Sequence, residues 1–212
     1  MEHFGVKVIK KKYELKLVRN EYAIINNKSS IYKGKIYSDE WCKTQYKKAM
    51  ENYDLNMEYF SLLDKKEFNE EINSFLNIYK EFKEVKDLKL FNGKSGYYIM
   101  ILDEYKQLYI GTTNDIKRRI QQHWSKRVPF DRLIFGTVDN SIMSINSFNA
   151  LDTTRIYAYP TDGTYINENE YIDYFSPCFV CNRLEGGKIE YGLLQAINMM
   201  KSRKLKESKK VN

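Results

Sequence analysis

Residues 96–111 read Gly96-Tyr97-Tyr98-Ile99-Met100-Ile101-Leu102-Asp103-Glu104-Tyr105-Lys106-Gln107-Leu108-Tyr109-Ile110-Gly111. Two β-prone runs, 97–102 and 108–111, flank a polar turn at Asp103, Glu104 and Lys106. This pattern predicts a hairpin with Tyr98 and Tyr109 on adjacent strands. Just before it, Asn92-Gly93-Lys94-Ser95-Gly96 reads as a loop and is the best candidate domain boundary. After it, Ile116, Ile120 and Trp124 recur at helical spacing, so a helix is expected from about Asn114.

Outward from the hairpin the signals are coarser. The first 36 residues mix short β-prone runs with basic residues. Residues 9–17 alternate loosely between apolar and charged, and Asn27, Ser29, Ser30 and Gly34 read as turns. Residues 38–86 read as helical. There Asp64 and Glu67 suggest a capping box, and Phe68, Ile72, Phe75, Tyr79 and Phe82 form a core stripe. Strand-like runs follow at 133–138 and 155–159, and a short helix at 168–175 ends before Pro177. A last helix is expected from about Glu190 into the basic end KSRKLKESKK. The fold class is α+β: a small, mostly antiparallel sheet flanked by helices, with a largely helical N-terminal region. The expected division is 1–93, an N-terminal region; 94–190, the domain that holds the hairpin; and 191–212, a C-terminal helix and basic tail.

Composition bounds the function. The 212 residues include 35 Lys and Arg against 28 Asp and Glu, a net charge of +7 that suits a polyanionic partner. Cys42, Cys178 and Cys181 are an odd-numbered and sparse set, which is no disulfide framework. Cys178 and Cys181 form a lone C-x-x-C, which reads as a packing pair and not as a zinc site. The opening MEHFGVKVIKKK has no apolar stretch of signal-peptide length, and the run at 97–102 is far too short to span a bilayer. A soluble, cytoplasmic protein without a membrane partner is expected.

The ordered set is then Gly96-Tyr97-Tyr98, Tyr109-Ile110-Gly111, Arg119, His123, Glu168 and Asn182. It resembles the GIY-YIG endonuclease family over roughly residues 95–183. Arg119 and His123 are four residues apart and share one helix face, while Arg118 lies about 100° away and reads as a surface charge. The family needs a carboxylate at the start of a later helix, and Glu168 and Glu170 both qualify. Asn167 and Glu170 fit a capping box, which gives Glu170 a structural task. Glu168 shares its face with Ile172 and Phe175, and an inward carboxylate there is costly without a partner or a metal. Glu168 is therefore the metal-ligand candidate. Asn182 matches a family asparagine that supports the site, although a turn residue before Gly186-Gly187 would also read this way. Two departures stand out: Tyr97 replaces the usual isoleucine or valine, and the segment before Glu168 is enlarged.

The resemblance implies a DNA endonuclease that leaves 5′-phosphate and 3′-hydroxyl ends. Glu168 would hold Mg2+, with Mn2+ as a substitute, since magnesium keeps several waters and accepts a single protein ligand. Arg119 would stabilise charge at phosphorus, and Tyr98 or Tyr109, its pKa depressed by metal and arginine, would accept a proton from water. His123 would join the relay or position the phosphate. Gly111 and Asn182 would contact the substrate. DNA rather than RNA follows from family usage, and a double-strand cut would call for a homodimer. The alternative is a nucleic-acid-binding protein that keeps the fold without catalysis. Its mark would be a broken site, and every required residue type is present.

Overall fold

The computed structural model describes residues 1–12, 24–25, 34–35, 39–125, 143–163 and 167–182. In chain order these form β1 (Glu2–His3), β2 (Val6–Lys7), β3 (Ile24–Ile25), β4 (Gly34–Lys35), α1 (Asp39–Leu62), α2 (Lys65–Ile78), β5 (Lys83–Glu84), β6 (Gly96–Leu102), β7 (Gln107–Thr113), α3 (Ile116–Ser125), β8 (Arg155–Pro160) and α4 (Glu168–Asp173). Single 3-10 turns lie at Leu88–Phe91, Ile145–Ser147 and Ala150–Asp152. The fold is α+β, as expected. The predicted strand at 133–138 and the helix from Glu190 lie outside the described residues, as do Asn27, Ser29, Ser30 and most of 9–17. The part of that last run that is described, 9–12, carries no strand.

The main sheet has the order β5-β8-β6-β7, and every pairing is antiparallel. The hairpin forms as predicted, with Tyr98 opposite Gly111 and Met100 opposite Tyr109. All seven residues of β6 are buried, because the strand is paired on both edges and covered on both faces. Strand side chains alternate between faces. Tyr98, Met100 and Leu102 accordingly join Ile116, Ile120 and Trp124 of α3 on one side. Tyr97, Ile99 and Ile101 join Phe68, Ile72 and Phe75 of α2 and Tyr171 and Ile172 of α4 on the other.

The chain before residue 94 takes part in both layers. Val6, Phe60 and Leu88 pack on the α3 side. On the other side α2 starts at Asp64, whose Oδ1 accepts the backbone N–H groups of Lys66 at 2.6 Å and Glu67 at 2.9 Å. The helical reading of 38–86 needs correction. It breaks into α1 and α2 and then gives way to the edge strand β5, so Phe82 lies beyond the helix yet still packs on Phe75. The helix predicted over 168–175 likewise ends earlier, at Asp173.

Residues 179–182 cover the edge of β7. Leu108 N–H donates to Phe179 O at 2.7 Å, and Cys181 N–H donates to Leu108 O at 2.9 Å. Cys181 is buried, and its thiol donates to Leu108 O, a structural role for this half of the C-x-x-C pair. Among the described residues, no helix is long and apolar enough to cross a membrane.

Phe75 is the hub between α2 and α4. It has no exposed surface and contacts Tyr79, Phe82, Tyr171, Tyr174 and Phe175. Phe75→Ala is expected to lower the unfolding free energy by about 3–5 kcal/mol, the range for truncating a buried aromatic. Urea denaturation reads this directly. A loss below about 1 kcal/mol would show that α2 is not integral to the sheet's core.

Candidate active site

Helix α3 begins where Asp115 Oδ1 accepts the Arg118 N–H at 2.9 Å. Ile116 and Ile120 lie fully buried against the sheet, which fixes the rotation of the helix. That rotation leaves Arg118 exposed, Arg119 half-buried and His123 buried. The face shared by Arg119 and His123 thus looks at the hairpin. His123 Nε2 lies 2.8 Å from Tyr98 Oη, and its Nδ1 lies 2.6 Å from Asn146 Oδ1. The Tyr109 ring sits 5.1 Å from the His123 ring and 6.0 Å from that of Tyr98. The Arg119 guanidinium interacts with both phenols.

Gly111 makes this arrangement fit. A Cβ there would stand 2.6 Å from Tyr98 Oη and 2.8 Å from Tyr109 Cε1. Its observed role is to leave room for two tyrosines. Asn182 is buried, and both ends of its side chain are tied to β7: Oδ1 accepts the Ile110 N–H at 3.0 Å, and Nδ2 donates to Ile110 O at 2.6 Å. In this structure it anchors the covering segment to the strand.

Glu168 comes from the other side of the sheet. Helix α4 packs on the face that holds Ile110, and Thr112, two residues on, shares that face. Thr112 Oγ1 donates to Glu168 Oε2 at 3.1 Å. Glu168 and Arg119 therefore approach β7 from opposite faces, close enough for a charge interaction. Burial raises the Glu168 pKa, against the lowering effects of Thr112 and Arg119. A magnesium ion fits this donor set. It prefers hard oxygen ligands, needs few from the protein, and would offset the desolvation of this carboxylate. Among the described residues no group of three or more His, Cys, Asp and Glu side chains could hold a metal, so Glu168 would act with water as co-ligand.

With no metal in the site, burial pushes the Tyr98 hydroxyl well up and that of Tyr109 up, and the neighbouring Arg119 only partly counters it. One expectation is corrected. The capping box at Asn167 and Glu170 does not form. Asn167 makes no side-chain cap, and Glu170 Oε1 instead accepts the Tyr79 hydroxyl of the chain following α2 at 2.8 Å. That bond, with burial, carries the Tyr79 pKa up to about 12. Glu170 keeps a structural task, but a tertiary one.

Residues 94–177 match the family model for the GIY-YIG catalytic domain. This part of the chain is similar to the GIY-YIG catalytic domain. No curated protein and no solved structure matched the chain. Within the matched residues the structure brings together Tyr98, Tyr109, Arg119, His123 and Glu168. Sequence reasoning missed Thr112 and Asn146. Thr112 follows the second motif directly, and strand alternation could have flagged it. Asn146 carried no local signal, because it reaches His123 from the enlarged segment after α3.

Two measurements probe this geometry. Gly111→Ala should displace the tyrosines and destabilise the protein by about 1–3 kcal/mol, as overpacking does. An unchanged urea midpoint would contradict the close contact. Glu168→Gln should melt at a higher temperature than wild type in EDTA at neutral pH. The folded state raises the carboxyl pKa above its ordinary 4.5, so ionisation opposes folding above that range. The difference should close as pH falls towards 4.5 and the wild-type carboxyl protonates. A lower melting temperature for Glu168→Gln would mean that Arg119 and Thr112 outweigh burial.

Proposed function

We propose that the protein is a divalent-metal-dependent DNA endonuclease. It hydrolyses phosphodiester bonds to 5′-phosphate and 3′-hydroxyl ends and acts as a stand-alone enzyme of the restriction, defence or mobile-element type. The observation that carries this reading is the convergence of Arg119, Glu168 and the two tyrosines within a GIY-YIG domain. The charge of +7 suits a nucleic-acid substrate.

Each residue then has a task. Glu168 holds the metal, which when bound supplies Lewis-acid stabilisation of the scissile phosphate. The planar Arg119 fork accepts the charge that develops on the non-bridging oxygens. Tyr98 has no exposed surface, whereas part of the Tyr109 side chain is exposed, so Tyr109 is assigned as the phenol that takes the water proton. Burial raises both phenols in the metal-free site, which favours a proton relay over a standing phenolate. The water proton moves to Tyr109, the Tyr109 proton to Tyr98, and the Tyr98 proton to His123 Nε2. Water oxygen bonds to phosphorus as the bond to the 3′ oxygen breaks, and that oxygen leaves with a proton from solvent.

Incubation with supercoiled plasmid tests the reading. Cleavage should require magnesium and stop in EDTA. It should vanish in Glu168→Ala, survive in Glu170→Ala, and fall about 10²–10³-fold in kcat in Arg119→Ala, as when one transition-state donor is lost. Loss in Glu170→Ala alone would move the metal to Glu170. Salt-dependent DNA binding without cleavage under any condition would make the protein an inactive binder on the nuclease fold.

A further inference from the structure

His123 is nearly inaccessible, at 2 % exposure, and both ring nitrogens are engaged, Nε2 with Tyr98 and Nδ1 with Asn146. A neutral imidazole carries one N–H, and an amide oxygen can only accept. With Asn146 Oδ1 at 2.6 Å, the proton belongs on Nδ1. Nε2 then turns a lone pair towards the Tyr98 hydroxyl. The reverse tautomer would set an Nε2–H against Tyr98 and remove the only acceptor the phenol proton could use on this ring.

Asn146 is well supported for such a role. It lies in the 3-10 turn Ile145–Ser147, where its own N–H donates to Ser144 Oγ at 3.2 Å and the Ser147 N–H donates to Ser144 O at 2.8 Å. Ile145 and Ser147 on either side are buried, so the turn is held in place by the core. Asn146, His123 and Arg119 also line one pocket with Gln122 and Ser125, which sets the pair beside the catalytic arginine.

We propose that Asn146 is a positioning residue that holds the His123 proton on Nδ1, so that Nε2 is free to receive the Tyr98 proton during cleavage. The catalytic consequence rests on the nuclease reading, but the tautomer does not. A neutral amide directs the ring without adding a charge beside the buried phenols.

The chain has two histidines, His3 and His123, so 15N-histidine labelling of the full-length protein gives a spectrum of two rings. Long-range proton–nitrogen correlations, assigned with His3→Gln, report which nitrogen carries the proton. Wild type should show Nδ1–H at His123. Asn146→Leu should abolish that preference and lower kcat about 10–100-fold with little change in KM, as when the orienting partner of a functional histidine is lost. Asn146→Asp keeps an acceptor oxygen, and should keep Nδ1–H and recover most of kcat. A wild-type proton on Nε2 would overturn the inference. So would an Asn146→Leu protein that is folded and unchanged in both tautomer and kcat. Absence of cleavage by wild type would sink the nuclease reading instead, while the spectrum would still decide what Asn146 does.

Discussion

Strand β6 must hide both of its faces. It is paired on both edges, and every residue from Gly96 to Leu102 is buried. Alternation then forces Tyr97 towards α2 and α4 and Tyr98 towards α3. A fully buried hydroxyl left without a partner is costly, so the Tyr98 position demands a polar neighbour from α3. His123 meets that demand, and it in turn needs Asn146. The polar chain inside the domain follows from packing a tyrosine where an aliphatic side chain would have needed no such support.

Polar groups held in this way are poised for charge. Burial raises the pKa values of Tyr98, Tyr109 and Glu168, and Arg119 offsets only part of the effect. Such perturbed groups cluster where chemistry is done, because the environment that disfavours a charge at rest rewards a charged partner that arrives. Gly111 supports this from the backbone, since any side chain there would drive the two phenols apart.

The helix that carries Glu168 has few residues of its own and depends on its neighbours. Tyr79 bonds Glu170, and Glu71 of α2 accepts from the Ser176 N–H at 2.9 Å. Phe75 fills the space between. Lys106 in the hairpin turn also donates to Phe60 O, at the end of α1, at 2.8 Å. Side chains from before residue 94 therefore hold the position of a carboxylate more than ninety residues later in the sequence than α2 begins.

The local parts of this architecture were legible in the amino-acid order. Two β-prone runs around a polar turn encode the hairpin, the spacing of Ile116, Ile120 and Trp124 encodes α3, and four-residue spacing puts Arg119 with His123. Each rests on interactions between residues a few positions apart, which spacing records directly. Tertiary packing decided the rest. Glu170 bonds Tyr79 rather than closing a capping box, because α2 brings a hydroxyl into its reach. Without a metal the tyrosines are raised, because desolvation depends on all the chain that covers them and not on the arginine alone. Asn146 reaches His123 from a segment with no periodic pattern to announce it, so only the folded core could show which amide holds the ring.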